Sequence, residues 1–290
     1  MAAPIEIRDP ADPRLSDFRD LARADRRPDR PGGRGLVIAE GIPVVQRLLA
    51  SRYPVRAILG VASRLETLSG ELSDLSAPVY LASAEVMADA VGFHLNRGVL
   101  ASADRLPTMT VEELLDGSAA VGGTGLPLSI GAARRIALLE GVNDHENLGS
   151  IFRNAAALGI DAILLGPGCS DPLYRRSIRV SMGHVLSVPF TELAASPSYA
   201  AWPDAIQELR ATGICVLALT PRPAAQPLQD IDPDRFARTA VLVGAEGPGL
   251  TEEALDAADL RVRIPMRPGV DSLNVATAAA IAFAHLAPSV

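Results

Sequence analysis

Lysine is absent from this sequence. All 27 basic residues are arginine, which excludes chemistry that needs an ε-amine, such as a Schiff base or the phosphate lysine of a Walker loop. Cysteine is scarce: Cys169 and Cys215 are too few for a disulfide framework, and no Cys-x-x-Cys or Cys/His cluster has metal-ligand spacing. No metal is expected. Long apolar runs are missing too, since nothing approaches the roughly 18 residues of a membrane span. The first 34 residues are punctuated by Asp, Arg and Pro and lack the apolar core of a secretory leader. A cytoplasmic protein with no membrane partner is expected. Aromatics are only 4% of the 290 residues, against 48% hydrophobic and 21% charged. That is a globular composition weighted toward small aliphatics, which excludes collagen-like, disulfide-dense and strongly charged disordered classes. The length suits two domains or one large one.

The net charge of −7 at first argues against a nucleic-acid partner, because phosphate contacts supply most of that affinity. Its distribution matters more. Residues 1–56 hold 11 Arg against 8 Asp plus Glu, an excess of +3 that leaves −10 on the remainder. The stretch Arg26-Arg27-Pro28-Asp29-Arg30-Pro31-Gly32-Gly33-Arg34 reads either as a flexible basic arm or as a solvated lead-in.

Residues 36–39 form a short apolar run, and 42–50 continue with apolar residues at helical spacing. The pattern repeats as strand 55–61, helix 62–68, strand 79–81, helix 84–91 and strand 98–101, a small alternating α/β unit. Residues 116–133 are rich in Gly, Ala and Ser and include Gly122-Gly123-Thr124-Gly125, which predicts a linker between domains spanning 1–115 and 134–290. Beyond it the alternation resumes: strand 135–139, helix 148–158, strand 162–165, helices 173–179 and 200–211, and strands 214–219 and 240–243. Helix 252–258, strand 260–264 and a final apolar helix 272–286 complete it. Strands separated by helices predict a mostly parallel sheet covered on both faces. Ligands of such sheets bind beyond the carboxyl ends of the strands.

Three polar clusters begin where predicted strands end. In the first, 140–156, a polar loop that includes Asn147 feeds a helix in which Arg153 and Asn154 sit among otherwise apolar residues. The second, Val243-Gly244-Ala245-Glu246-Gly247-Pro248-Gly249-Leu250, is a glycine-dense turn that lets backbone approach a nucleotide or nucleoside. Its Gly-x-x-Gly-x-Gly spacing is not that of a dinucleotide fingerprint. In the third, 264–280, Asn274 stands between Leu273 and Val275, where an amide buried in a helix needs a partner. Ser272 is the expected N-cap.

In order, spacing and identity these stretches resemble the three signature motifs of the SpoU (TrmH) family of RNA ribose 2′-O-methyltransferases, in the SPOUT superfamily. They are Asn147-Leu148-Gly149 with Arg153, Gly244 to Gly249, and Ile264-Pro265-Met266 with Ser272-Leu273-Asn274-Val275-Ala276. Ser177-Ile178-Arg179-Val180-Ser181-Met182-Gly183 is similar to the family's substrate-proximal stretch. The resemblance covers residues 134–286. His145 departs from it, standing where the family often has Pro. Residues 36–41 and 94–101 are similar to the small α/β substrate-binding domain, related to ribosomal proteins, that precedes the catalytic domain in many members.

The resemblance implies an α/β fold whose C-terminal trefoil-knotted domain has a mostly parallel sheet and follows a small α/β RNA-binding domain. It also implies a homodimer with the active site built across it, and an RNA partner, ribosomal ahead of transfer RNA. S-adenosylmethionine would be held by Thr220, Gly244, Glu246, Gly247, Ile264, Met266 and Leu273. Arg153 would activate the ribose hydroxyl, with Asn147, Glu246, Ser272 and Asn274 orienting it. Two other readings compete. One is an RNA-binding paralogue without catalysis, against which Arg153, Glu246 and Asn274 argue. The other is a nucleotide-dependent oxidoreductase, against which the missing fingerprint argues.

Overall fold

The computed structural model describes residues 4–116, 133–193 and 201–287; apart from Asp116 and Ala133, the expected linker lies outside them. The chain forms two compact units.

The described residues of the first unit are 4–107 and 172–187. Its elements in chain order are β1 (Ile5–Glu6), α1 (Leu21–Ala24), β2 (Leu36–Glu40), α2 (Ile42–Leu49), β3 (Val55–Gly60), α3 (Ala62–Thr67), β4 (Val79–Leu81), α4 (Ala84–Val91) and β5 (Val99–Asp104). The sheet order is β1-β4-β3-β5-β2, parallel from β1 to β3 and antiparallel where β5 meets β3 and β2. All five residues of β2 are buried, the mark of a central apolar run, although β2 lies at the sheet edge.

Residues 26–34, read as a basic arm or a solvated lead-in, form bends and turns with 28–32 and Arg34 exposed, and the segment before them is folded. Residues 5–24 are built into this unit: β1 pairs with β4, a 3-10 turn covers Pro13–Phe18, and Ile7, Leu15, Phe18, Leu21 and Ala24 are buried in the core. The three-residue spacing of Leu15, Phe18 and Leu21 turns one apolar face inward, a short signal among the Asp, Arg and Pro residues. Arginines here are matched by neighbouring acids, Arg8 with Glu6, Arg14 with Asp12 and Arg27 with Asp29.

The second unit contains α5 (Val111–Asp116), β6 (Arg135–Leu139), α6 (His145–Ala157) and β7 (Ala162–Leu165). Between β7 and β8 (Phe190–Glu192) the chain makes α7 (Arg175–Val180), which packs on β2 in the first unit. Then follow α8 (Trp202–Ala211), β9 (Cys215–Leu219), β10 (Gln226–Pro227), β11 (Thr239–Val243), α9 (Glu252–Ala257), β12 (Leu260–Arg263) and α10 (Val275–Leu286). The sheet runs β10-β12-β9-β11-β6-β7-β8 and every pairing is parallel. One face buries Ile136, Leu138, Leu164, Val216 and Leu242 against Leu114, Ile206, Leu209 and Leu255 of α5, α8 and α9. The alternate residues Ala137, Leu139, Ile163, Leu217 and Val241 are buried as well, as two-sided coverage requires; α10 packs on β11 and α6.

Strand β11 is laid down late yet lies between β6 and β9. The order therefore reverses there, and the carboxyl ends of β6, β9, β11 and β12 gather the three polar clusters.

Candidate active site

The loops after β9, β11 and β12 enclose a cavity of about 580 Å³. Thr220, Gly244, Glu246, Gly247, Ile264, Met266, Ser272, Leu273 and Asn274 all line it, so nine residues proposed from sequence meet at one place. Each loop has a local reason to be there. Thr220 is buried and its N–H donates to Val262 O at 2.8 Å, holding the β9 exit against β12. The turn after β11 folds back on itself, with the Gly249 N–H donating to Ala245 O at 3.1 Å. A Cβ on Gly244 would lie 2.4 Å from Gly249 C and Leu250 N, so only glycine fits. Gly247 and Gly249 have φ of 94° and 76°, a region glycine enters without strain. A Cβ on either would meet no atom within 4 Å.

Asn274 departs from expectation. The final helix begins at Val275, not at 272, and Asn274 is its exposed N-cap (φ −51°, ψ 137°), with Oδ1 accepting from Ala276 N at 3.0 Å and Thr277 N at 3.2 Å. Ser272 is not the cap. Capping satisfies donors that a helix end leaves open, so the amide is retained here without being buried. Its Nδ2 donates to Asn147 Oδ1 at 2.8 Å, and Asn147 Nδ2 donates to Glu246 Oε2 at 2.6 Å. This relay joins all three clusters. Asn147 reaches it because α6 starts earlier than expected, at His145, capped by Asp144 Oδ1 accepting from the N–H groups of Glu146 and Asn147 at 2.8 Å.

Arg153 is not brought into the same cluster. It is exposed on α6 and absent from the cavity lining. At 100° per residue it stands about 240° round the helix from Asn147. The residue on Asn147's face is Asn154, whose Nδ2 donates to Ala276 O at 3.0 Å. Asn154, named in the sequence with Arg153 but given no role there, stands at i+7 from Asn147, a spacing that places the two on one helix face.

Chemically, the cavity offers an apolar slot (Ile264, Met266, Leu273), close-approaching main chain and the carboxylates of Glu246 and Asp271. This suits a flat heterocycle attached to a cationic group. Nearby Cys169 donates its thiol to Leu139 O, and burial pushes it up to about 11, so it stays protonated and is no nucleophile. Among the described residues no group of three His, Cys, Asp or Glu side chains is arranged to hold a metal, and no helix is long and apolar enough to cross a membrane.

Comparison with known proteins bears on this arrangement. The model of the SpoU rRNA Methylase family matches residues 134–284. A Mycobacterium tuberculosis protein named as a tRNA/rRNA methyltransferase is 54% identical over 279 residues, 96% of this chain and 90% of that one. The 23S rRNA (guanosine(2553)-2′-O)-methyltransferase of Bacillus subtilis is 34% identical over 157 residues, 54% of this chain and 59% of that one. Among solved structures, an rRNA methyltransferase from Sinorhizobium meliloti superposes with a TM-score of 0.74 at 22% identity over 97% of this chain and 96% of that one. The SpoU methyltransferase AviRb from Streptomyces viridochromogenes, solved with AdoMet, has a TM-score of 0.69 at 21% identity over 94% and 96%. At those identities the likeness is one of fold.

Proposed function

Because the chain belongs to the SpoU rRNA Methylase family, we infer that it is an S-adenosylmethionine-dependent RNA methyltransferase acting on a ribose 2′-hydroxyl. The observation that carries this is the convergence of the three loops on one cavity, linked by the Asn274–Asn147–Glu246 relay. The residues present fit the donor. Ile264, Met266 and Leu273 can flank adenine, the main chain of Gly244 and Gly247 can approach closely, Thr220 closes one edge, and Glu246 supplies charge opposite to a sulfonium. When bound, the donor supplies a methyl group already activated for in-line displacement.

The protein's task is then alignment and management of one proton. We assign Arg153 an electrostatic role. A guanidinium stays protonated in proteins, so it serves by holding the phosphate next to the target ribose and favouring the ionised hydroxyl, the proton leaving to phosphate or water. Asn147, Glu246, Ser272 and Asn274 orient the ribose.

Arg153 also supports a homodimer. A cation turned away from its own chain's cavity, and with no carboxylate partner among the described residues, suits a site completed across a two-fold. The exposed Ile281 on α10 offers apolar surface for that contact. Ribosomal RNA is the proposed substrate and the cytoplasm the proposed location. The family's trefoil knot around the cavity belongs to the same reading, as does assignment of RNA binding to residues 1–115 and of methyl transfer to 134–290. Light scattering tests the assembly: a mass of two chains is expected, and a monomer that is fully active would overturn the shared site. Calorimetric titration of the whole chain with S-adenosylmethionine tests the donor site. Binding that persists in excess chelator is expected, and the absence of binding would overturn the assignment.

A further inference from the structure

Glu140, at the end of β6, is only 6% exposed, and a buried carboxylate needs partners. One residue provides them. Thr251 donates its N–H to Oε2 at 3.1 Å and its hydroxyl to Oε1 at 2.8 Å. The Glu140 N–H meanwhile donates to Val243 O at 2.9 Å. Val243 and Thr251 bracket residues 244–250, the loop that contributes Gly244, Ala245, Glu246, Gly247 and Gly249 to the cavity. A single residue thus fixes both ends of that loop. The Thr251 hydroxyl also accepts from Ala254 N at 3.3 Å and so caps α9. The next residue, Gly141, has φ of 67°, and a Cβ there would lie 3.0 Å from Ala245 Cβ, so the β6 exit also abuts the loop near its start. Hydrogen bonds to an ionised acceptor are about twice as strong as neutral ones, which suits Glu140 to hold a glycine-rich segment that has little stiffness of its own.

We propose that Glu140 is a positioning residue for the donor site: acting through Thr251, it sets the stance of the 244–250 main chain and hence the affinity for the methyl donor. This rests on the reading that S-adenosylmethionine occupies the cavity. The effect falls on donor binding, because Glu140 is not among the residues lining the cavity.

The test uses the full chain. Glu140→Ala would leave a buried N–H unpaired and endanger the fold, so the informative variants are Glu140→Gln, Thr251→Val, Thr251→Ser and the Glu140→Gln/Thr251→Val double. Each is titrated calorimetrically with S-adenosylmethionine and assayed for methyl transfer. Loss of one charge-assisted bond should raise the donor Kd about tenfold in Glu140→Gln and Thr251→Val, with donor KM following and kcat within about twofold. Thr251→Ser should restore the wild-type value. The double variant should be no weaker than the weaker single, as expected for partners in one interaction. Unchanged donor Kd in both singles, or effects that add in the double, would overturn the proposal while wild-type binding leaves the donor-site reading standing. If the wild type itself shows no binding, that reading falls, and the proposal with it.

Discussion

Arg153 carries the chemistry in this account without contributing to the donor cavity. Arg153→Ala should lower the single-turnover methylation rate by about 10²–10³, as removal of one electrostatic donor does elsewhere, with donor Kd within about twofold of wild type. Arg153→Lys should not rescue it, since an ammonium lacks the planar fork; near-normal turnover in that variant would contradict the role. Asn274 does two jobs through two atoms, and substitution can separate them. Asn274→Ala should lose about 1 kcal/mol of stability with the cap and also lose activity. Asn274→Asp keeps an acceptor for the Ala276 and Thr277 N–H groups but cannot donate to Asn147, so melting should recover and methyl transfer should not. That Asn274 mattered was legible in the sequence. That it caps the helix was not, because the backbone turn at 274 leaves no trace in the apolar pattern. Asp25 gives no signal in the sequence, where it stands among charged residues. It is fully buried, and burial raises its carboxyl to about 6 from an ordinary 3.8, while Arg175 N donates to it at 3.0 Å. The folded chain therefore binds this proton below about pH 6 and the unfolded chain only below about 4, so stability rises as pH falls through that window. Relative to Asp25→Asn, wild type should gain up to about 3 kcal/mol between pH 7 and pH 4, at about 1.4 kcal/mol per unit. Urea unfolding of both proteins at the two pH values measures it.

At the level of elements, the β11–α9 turn leaves no room for a side chain at Gly244. Gly244→Ala places a methyl 2.4 Å from Gly249 C and Leu250 N, backbone atoms that cannot step aside, so the loop must open. Overpacking of this kind costs about 1–3 kcal/mol, and the donor Kd should rise at least about tenfold by calorimetry. The central strands were readable because parallel strands buried on both faces, such as β6, β7 and β11, are unbroken apolar runs. Strands β1, β8 and β10 have two, three and two residues, too short to show a period. Their pairing comes from the neighbouring strand and not from their own sequence.

The molecule as a whole contains one connection that local pattern could not announce. Residues 172–187 leave β7 and return to β8, yet pack within the first unit. There Arg175 meets Glu40 at 3.2 Å and lies 4.6 Å from the Phe93 ring centroid, and Arg47 donates to Met182 O at 2.8 Å. A chain cut to begin at Arg134 would strip these partners and uncover Ile178, Val185 and Leu186, all buried in the full protein. It should melt lower and aggregate on size exclusion, whereas the intact chain should not. The most direct test of the central claim gives the full chain labelled S-adenosylmethionine and RNA, digests the product to nucleosides and identifies the labelled one. Label is expected in a 2′-O-methyl nucleoside and should be lost with Arg153→Ala. Label on a base, or donor binding with no transfer to any ribosomal or transfer RNA, would contradict the claim.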